Sequence, residues 1–84
     1  MDFFVAPFAS FSTATVVWLV TRQDASPANT VAVCESLEAA RKRAVEMARY
    51  HESIGRPSRV LLREDAAADW VLIWPPDESA GART

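Results

Sequence analysis

The sequence predicts a small α+β domain with the element order β-β-α-β-β, in which one helix packs on one face of a four-stranded antiparallel sheet. Three observations lead to this fold class: four short β-branched or aromatic runs, an alanine-rich stripe at helical spacing between the second and third runs, and a turn sequence within each pair of runs. The chain has 84 residues, which allows one domain and no second one.

The first two strands are predicted at residues 15–21 and 30–34, which are rich in valine and threonine and contain no glycine or proline. A polar segment, residues 22–29, separates them. The simplest arrangement for two such runs is an antiparallel hairpin across that segment.

The helix is predicted to begin at Ser36, whose side chain can accept a hydrogen bond from the first free backbone amides. Small and apolar residues then recur three or four positions apart, and Leu37, Met47 and Ile54 supply most of the apolar area of this stripe. Gly55 can adopt the left-handed conformation that ends a helix, and the proline two residues later prevents its continuation.

The last two strands are predicted at residues 58–64 and 69–74, joined by residues 65–68 as a second hairpin. The first alternates arginine with aliphatic residues, which is typical of a strand near an edge of the sheet with one wetter face. The second is apolar on both faces, with Trp70, Leu72 and Trp74 expected on one of them, and this indicates a central strand or a covered outer face.

The ends of the chain differ in character from the domain predicted at residues 15–76. Residues 1–14 are predicted to form an apolar, phenylalanine-rich arm, or a short extra strand, that covers either its own sheet or that of another subunit. Residues 77–84 are predicted to be a polar flexible tail. The aromatic residues exceed what one helix can cover, so we predict a homodimer or partner contact through this set: Phe3, Phe4, Phe8, Phe11, Trp70 and Trp74.

The element order from residue 15 to residue 74, with Trp18 in a strand and Leu37-Glu38-Ala39-Ala40 at the start of the helix, resembles that of small bacterial and phage ββαββ families. The resemblance implies the same order of elements. It transfers no functional residue.

The side chains that carry chemistry are isolated in this sequence. His51 and Cys34 are the only residues of their types, and there is no glycine-rich phosphate loop. Glu64, Asp65 and Asp69 flank a turn, where acidic residues usually serve local hydrogen bonding. The sequence therefore predicts no enzyme, no cofactor and no metal site.

Charge is distributed unevenly along the chain. The net charge is −2, yet residues 41–63 contain seven basic residues against two acidic ones. The simplest interpretation is a solvated helix face with charge pairs four residues apart. If the surface binds a partner, we predict an acidic protein patch, with nucleic acid as the alternative. The residues of this basic surface are Arg41, Lys42, Arg43, Arg49, Arg56, Arg59 and Arg63.

These observations favour a small non-enzymatic interaction module that self-associates and binds, inhibits or regulates a larger protein or nucleoprotein, in the manner of small phage or mobile-element proteins. The alternatives are a nucleic-acid-binding protein that uses the basic surface and a small-molecule-binding domain with a tryptophan-lined site. The first basic residue is Arg22, and no apolar run is longer than the five residues of 16–20, so we expect a cytoplasmic protein with no membrane segment.

Overall fold

The computed structural model describes residues 1–9, 16–65 and 67–75. Within these residues lie β1 (Asp2–Ala9), β2 (Val16–Arg22), a 3₁₀ turn (Pro27–Asn29), β3 (Thr30–Cys34), α1 (Leu37–Ser53), β4 (Arg59–Leu62) and β5 (Val71–Trp74). The strands form one sheet in the order β3-β2-β1-β4-β5, with β1 parallel to β4 and the other neighbours antiparallel. The α+β class, the single helix and both predicted hairpins are confirmed. The four-stranded, wholly antiparallel sheet is wrong, because the sheet has five strands and is mixed.

The additional strand is β1, and it lies at the centre of the sheet. It pairs with β4 from Asp2 to Val5 and with β2 from Phe3 to Ala9. Phe3 and Val5 are 1% and 0% exposed, so part of the segment interpreted as an arm belongs to the core. Pro7 lies beyond the last residue paired with β4, which explains how a strand containing proline can be central.

The predicted helix start is confirmed, and its apolar stripe packs directly on the sheet. The Ser36 hydroxyl accepts a hydrogen bond from the amide of Ala39 at 3.1 Å. Ala40, Ala44 and Ala48 are completely buried, because their small side chains let α1 approach the strands closely.

The end of α1 is also where the sequence indicated. Gly55 has a φ of +87°, its amide donates to the carbonyl of Glu52 at 3.0 Å, and the amide of Arg56 donates to the carbonyl of His51 at 2.9 Å. These are the two hydrogen bonds of a Schellman motif. Ile54, however, is 51% exposed, so the expectation that it supplies buried apolar area is wrong.

The edges of the sheet differ from the expectation, because β3 and β5 are the outer strands and β4 lies inside. The insertion of β1 beside β4 gives that strand a neighbour on both sides. A β-bulge in the β4–β5 pairing then aligns Trp74 with Val60 and Leu72 with Leu61. Trp74 packs against the core with Val60, so it does not share a face with Leu72 as predicted.

Candidate interaction surface

The two faces of the sheet have different surroundings. One face carries Phe3, Val5, Val20 and Val60, which pack with α1 into the core. The opposite face of the sheet is called the open face below. The strand register and the alternation of side chains along each strand identify its residues. The open face carries Phe4, Ala6, Phe8, Val17, Leu19, Thr21, Val33, Leu61, Arg63, Trp70 and Leu72. The helix α1, the only helix longer than one turn among the described residues, packs on the other side.

The open face is apolar, and several of its large side chains are in contact with water. Phe8 and Leu72 are each 44% exposed, and Val33 on the outer strand β3 is 62% exposed. Phe4 and Trp70 pack edge to face, with ring centroids 5.1 Å apart. The guanidinium of Arg63 lies 4.5 Å from the centroid of the Trp70 ring, where a cation interacts favourably with the aromatic face.

An ion pair occupies one end of this face. Arg59 donates two hydrogen bonds to the Asp2 carboxylate, from Nε to Oδ1 at 3.1 Å and from Nη2 to Oδ2 at 2.8 Å. The hydrogen bond from Arg59 is the main reason that the pKa of Asp2 lies below its ordinary value. The two side chains therefore neutralise each other at this end of the open face.

The structure brings together some of the predicted apolar contact residues and separates the others. Phe4, Phe8 and Trp70 share the open face. Phe3 lies in the core, Trp74 packs against the core, and Phe11 lies outside the described residues. Sequence reasoning missed Leu19, Val33 and Leu61, although the alternation within their strands would have placed them once β1 was recognised as the neighbour of β2 and β4. Leu72 was expected to share a face with Trp70, but it was not among the predicted contact residues.

The predicted basic residues do not form one continuous surface. Arg41, Lys42, Arg43 and Arg49 are exposed on α1, and Arg56 is exposed just after it. The remaining two, Arg59 and Arg63, lie on the open face, on the other side of the sheet. On the outer surface of α1, a groove of about 510 Å³ has both basic and acidic residues in its lining: Glu38, Arg41, Lys42, Val45, Glu46 and Arg49.

A second groove of about 320 Å³ lies between the C-terminal half of α1 and strands β2 and β3. Its lining includes Phe3, Met47, Tyr50 and His51. The His51 ring is 5.5 Å from the ring of Phe3 and 5.6 Å from that of Tyr50, and its Nδ1 atom is buried with no hydrogen-bond partner among the described residues. His51 therefore lies among aromatic groups at the end of the helical stripe.

Neither metal ligands nor tryptophans are concentrated at these grooves. Within residues 1–9, 16–65 and 67–75, no group of three or more His, Cys, Asp or Glu side chains could hold a metal ion. Trp18 and Trp74 pack against the core, and Trp70 stacks with Phe4 and Arg63.

Comparison with known proteins finds no matching family model, no matching curated protein and no matching solved structure. No helix in the described part of the chain is long and apolar enough to cross a membrane.

Proposed function

We propose that this protein is a non-enzymatic interaction module that self-associates, with the open face of one copy packed against the open face of a second. The observation that supports this proposal is the apolar open face, on which Phe8, Val33 and Leu72 remain in contact with water. Apolar surface is stabilised by about 25 cal/mol for each Å² removed from water, and soluble monomers rarely keep large apolar patches exposed. A cover for this face is therefore favourable.

The size of the open face is appropriate for a small dimer interface. Strands β1 and β2 pair over seven residues, and five strands lie side by side. At ~3.4 Å per residue and ~4.8 Å between strands, the face spans roughly 20 Å by 20 Å. Its accessible area exceeds this flat projection because the side chains stand up from the sheet. Specific interfaces bury about 800 Å² on each partner, which is the same order of magnitude.

The charge of the open face also favours a second copy as the occupant. Asp2 and Arg59 neutralise each other, which leaves Arg63 as the unpaired charged side chain of the face among the described residues. Two such faces related by a twofold axis would meet with little repulsion and would form a sandwich of sheets about 10 Å apart.

The basic residues offer less support for nucleic acid as the partner. A surface that follows phosphates needs its cations on one side of the molecule. Here Arg59 is paired with Asp2, Arg63 lies over Trp70, and the helical cations are interleaved with Glu38 and Glu46. We further propose that the self-associated protein binds and regulates a larger protein.

Sedimentation equilibrium of the full chain and three variants tests self-association. Leu72→Glu and Phe8→Glu each place a charge on the open face, and Ile54→Glu is the matched control, because Ile54 is equally apolar and 51% exposed but follows α1. We expect the unmodified chain to approach twice its 9.3 kDa mass as concentration rises. The two open-face variants should remain monomeric, since burying an unpaired carboxylate is strongly unfavourable.

Two results would overturn the proposal. One is a chain that stays at 9.3 kDa at every concentration. The other is an Ile54→Glu variant that dissociates as readily as Leu72→Glu, which would place the contact elsewhere. Circular dichroism of each variant establishes that a loss of mass reflects dissociation of folded protein.

A further inference from the structure

A small cavity lies at the side of the open face nearest to the connection between β2 and β3. Its volume is about 180 Å³, and its lining includes Phe8, Leu19, Thr21, Pro27 and Arg63. Three of these residues come from β1 and β2, Pro27 comes from the connection, and Arg63 follows β4. The cavity is therefore formed by segments that are distant in sequence.

The wall contributed by the β2–β3 connection is held in place by its own hydrogen bonds. Asp24 Oδ1 accepts hydrogen bonds from the amide of Ser26 and from Nδ2 of Asn29, both at 2.8 Å. The Thr30 hydroxyl donates to the carbonyl of Pro27 at 2.7 Å. Because these hydrogen bonds already order the connection, a ligand that binds here loses less free energy to the ordering of the protein.

Two residues of the lining each have a polar atom that is buried without a partner. Thr21 is 3% exposed, and neither its Oγ1 atom nor Nε of Arg63 has a hydrogen-bond partner among the described residues. Buried polar groups are nearly always hydrogen-bonded, so two unpartnered ones in residues that line the same cavity are unusual. Both can donate a hydrogen bond, and Arg63 has no ion pair in the described part of the chain.

We propose that this cavity binds a small monocarboxylate with a short apolar chain. The carboxylate would accept hydrogen bonds from Thr21 and Arg63, and its charge would complement the guanidinium, which the Trp70 ring holds in position. Phe8, Leu19 and Pro27 would surround the apolar chain. A cavity of about 150 Å³ is known to hold benzene, so this one is suited to a molecule of about six non-hydrogen atoms, such as butyrate.

The observations that support the carboxylate site differ from those that support self-association. One proposal can therefore be wrong while the other is right. Leu72 and Val33 lie on the open face but not in the lining of the cavity. Leu72→Glu should therefore prevent self-association and leave carboxylate binding intact.

Titration of the isotopically labelled full chain with butyrate, followed by the amide resonances of β1, β2 and the β2–β3 connection, tests the site. Sodium chloride at the same ionic strength is the blank, and butyramide is an uncharged compound of the same shape. We expect saturable shifts with butyrate and at least tenfold weaker binding of butyramide, because the charge-assisted hydrogen bond is lost.

Variants of the two donors identify the contacts. Thr21→Val keeps the shape of the side chain and should weaken butyrate binding at least fivefold, while Thr21→Ser restores the hydroxyl and should bind within about twofold of the unmodified chain. Arg63→Gln should weaken binding at least tenfold, and the surface control Arg43→Gln should not change it. No saturable shift, equal binding of butyramide, or full affinity in Thr21→Val would overturn the proposal.

Discussion

Thr21 places a hydroxyl in the interior of the protein with no described hydrogen-bond partner. In buffer free of carboxylates, Thr21→Val should raise the free energy of unfolding by about 1 kcal/mol, because it removes a desolvated polar group and keeps the volume. Urea unfolding at a fixed protein concentration measures this change, and Thr21→Ser should show no such gain. A clear loss of stability in Thr21→Val would contradict the interpretation, since it would mean that the hydroxyl is well paired.

The ion pair between Asp2 and Arg59 should make the free energy of unfolding depend on pH. Because the pKa of Asp2 is lower in the folded protein than its ordinary value, the ion pair stabilises the fold above that ordinary pKa. The contribution disappears as the pH falls through the folded pKa and the carboxyl is protonated. Both side chains are partly in water, at 57% and 31% exposure for Arg59 and Asp2, so the effect is small and weakened by salt.

Comparison of the unmodified chain with Asp2→Asn isolates this contribution from that of the other acids. The difference in melting temperature should be constant near neutral pH and should vanish well below about pH 3.9, the ordinary pKa of aspartate. A difference that stays the same across the whole range would show that the carboxylate charge is not involved.

At the scale of elements, β1 links the two halves of the sheet, and its two faces should respond differently to mutation. Phe3→Ala should reduce the free energy of unfolding by about 3–5 kcal/mol, because Phe3 is 1% exposed and packs under α1. Phe8→Ala should cost much less at the same protein concentration, since Phe8 is 44% exposed. Denaturant unfolding measures both.

If Phe3→Ala does not fold, Phe3→Leu keeps most of the apolar volume and should give a smaller loss that can be measured. Equal costs at Phe3 and Phe8 would contradict the placement of β1 at the centre of the sheet. Deletion of residues 2–12, a natural test for a detachable arm, would remove the central strand and abolish the fold.

Local sequence signals were sufficient for some elements. The helix could be predicted from end to end, because its cap at Ser36, its alanine stripe and Gly55 all lie within the segment itself. The hairpins could be predicted because each pairs neighbouring runs. The parallel pairing of β1 with β4 could not be predicted, because it joins residues more than fifty positions apart and no local sequence pattern indicates it.

The candidate contact surface was only partly predictable for the same physical reason. A bulge shifts every later side chain of a strand to the other face, and nothing in residues 69–74 reveals the one opposite Val60 and Leu61. Strict alternation therefore predicts the wrong face for Trp74 and the correct face for Trp70 and Leu72. The proline at position 7 argued against a central strand in this segment, because proline usually marks an edge strand or the absence of a strand.

At the scale of the whole molecule, the fold is a two-layer structure in which one helix covers one side of a five-stranded sheet. The open face extends to the outer strand β3, where Val33 lies opposite Leu19. Its apolar surface is therefore continuous across these strands. A second copy on this face would complete a four-layer arrangement, helix-sheet-sheet-helix, that buries the apolar side chains of both sheets.

The most direct test of this arrangement is an isotope-filtered nuclear Overhauser experiment on an equal mixture of labelled and unlabelled full-length chain. We predict intermolecular contacts from the side chains of Phe8, Leu61 and Leu72, and none from Ile54 or Tyr50, which are also exposed but lie away from the open face. The absence of intermolecular contacts at high concentration, or contacts confined to Ile54 and Tyr50, would contradict the assignment of the open face as the self-association surface.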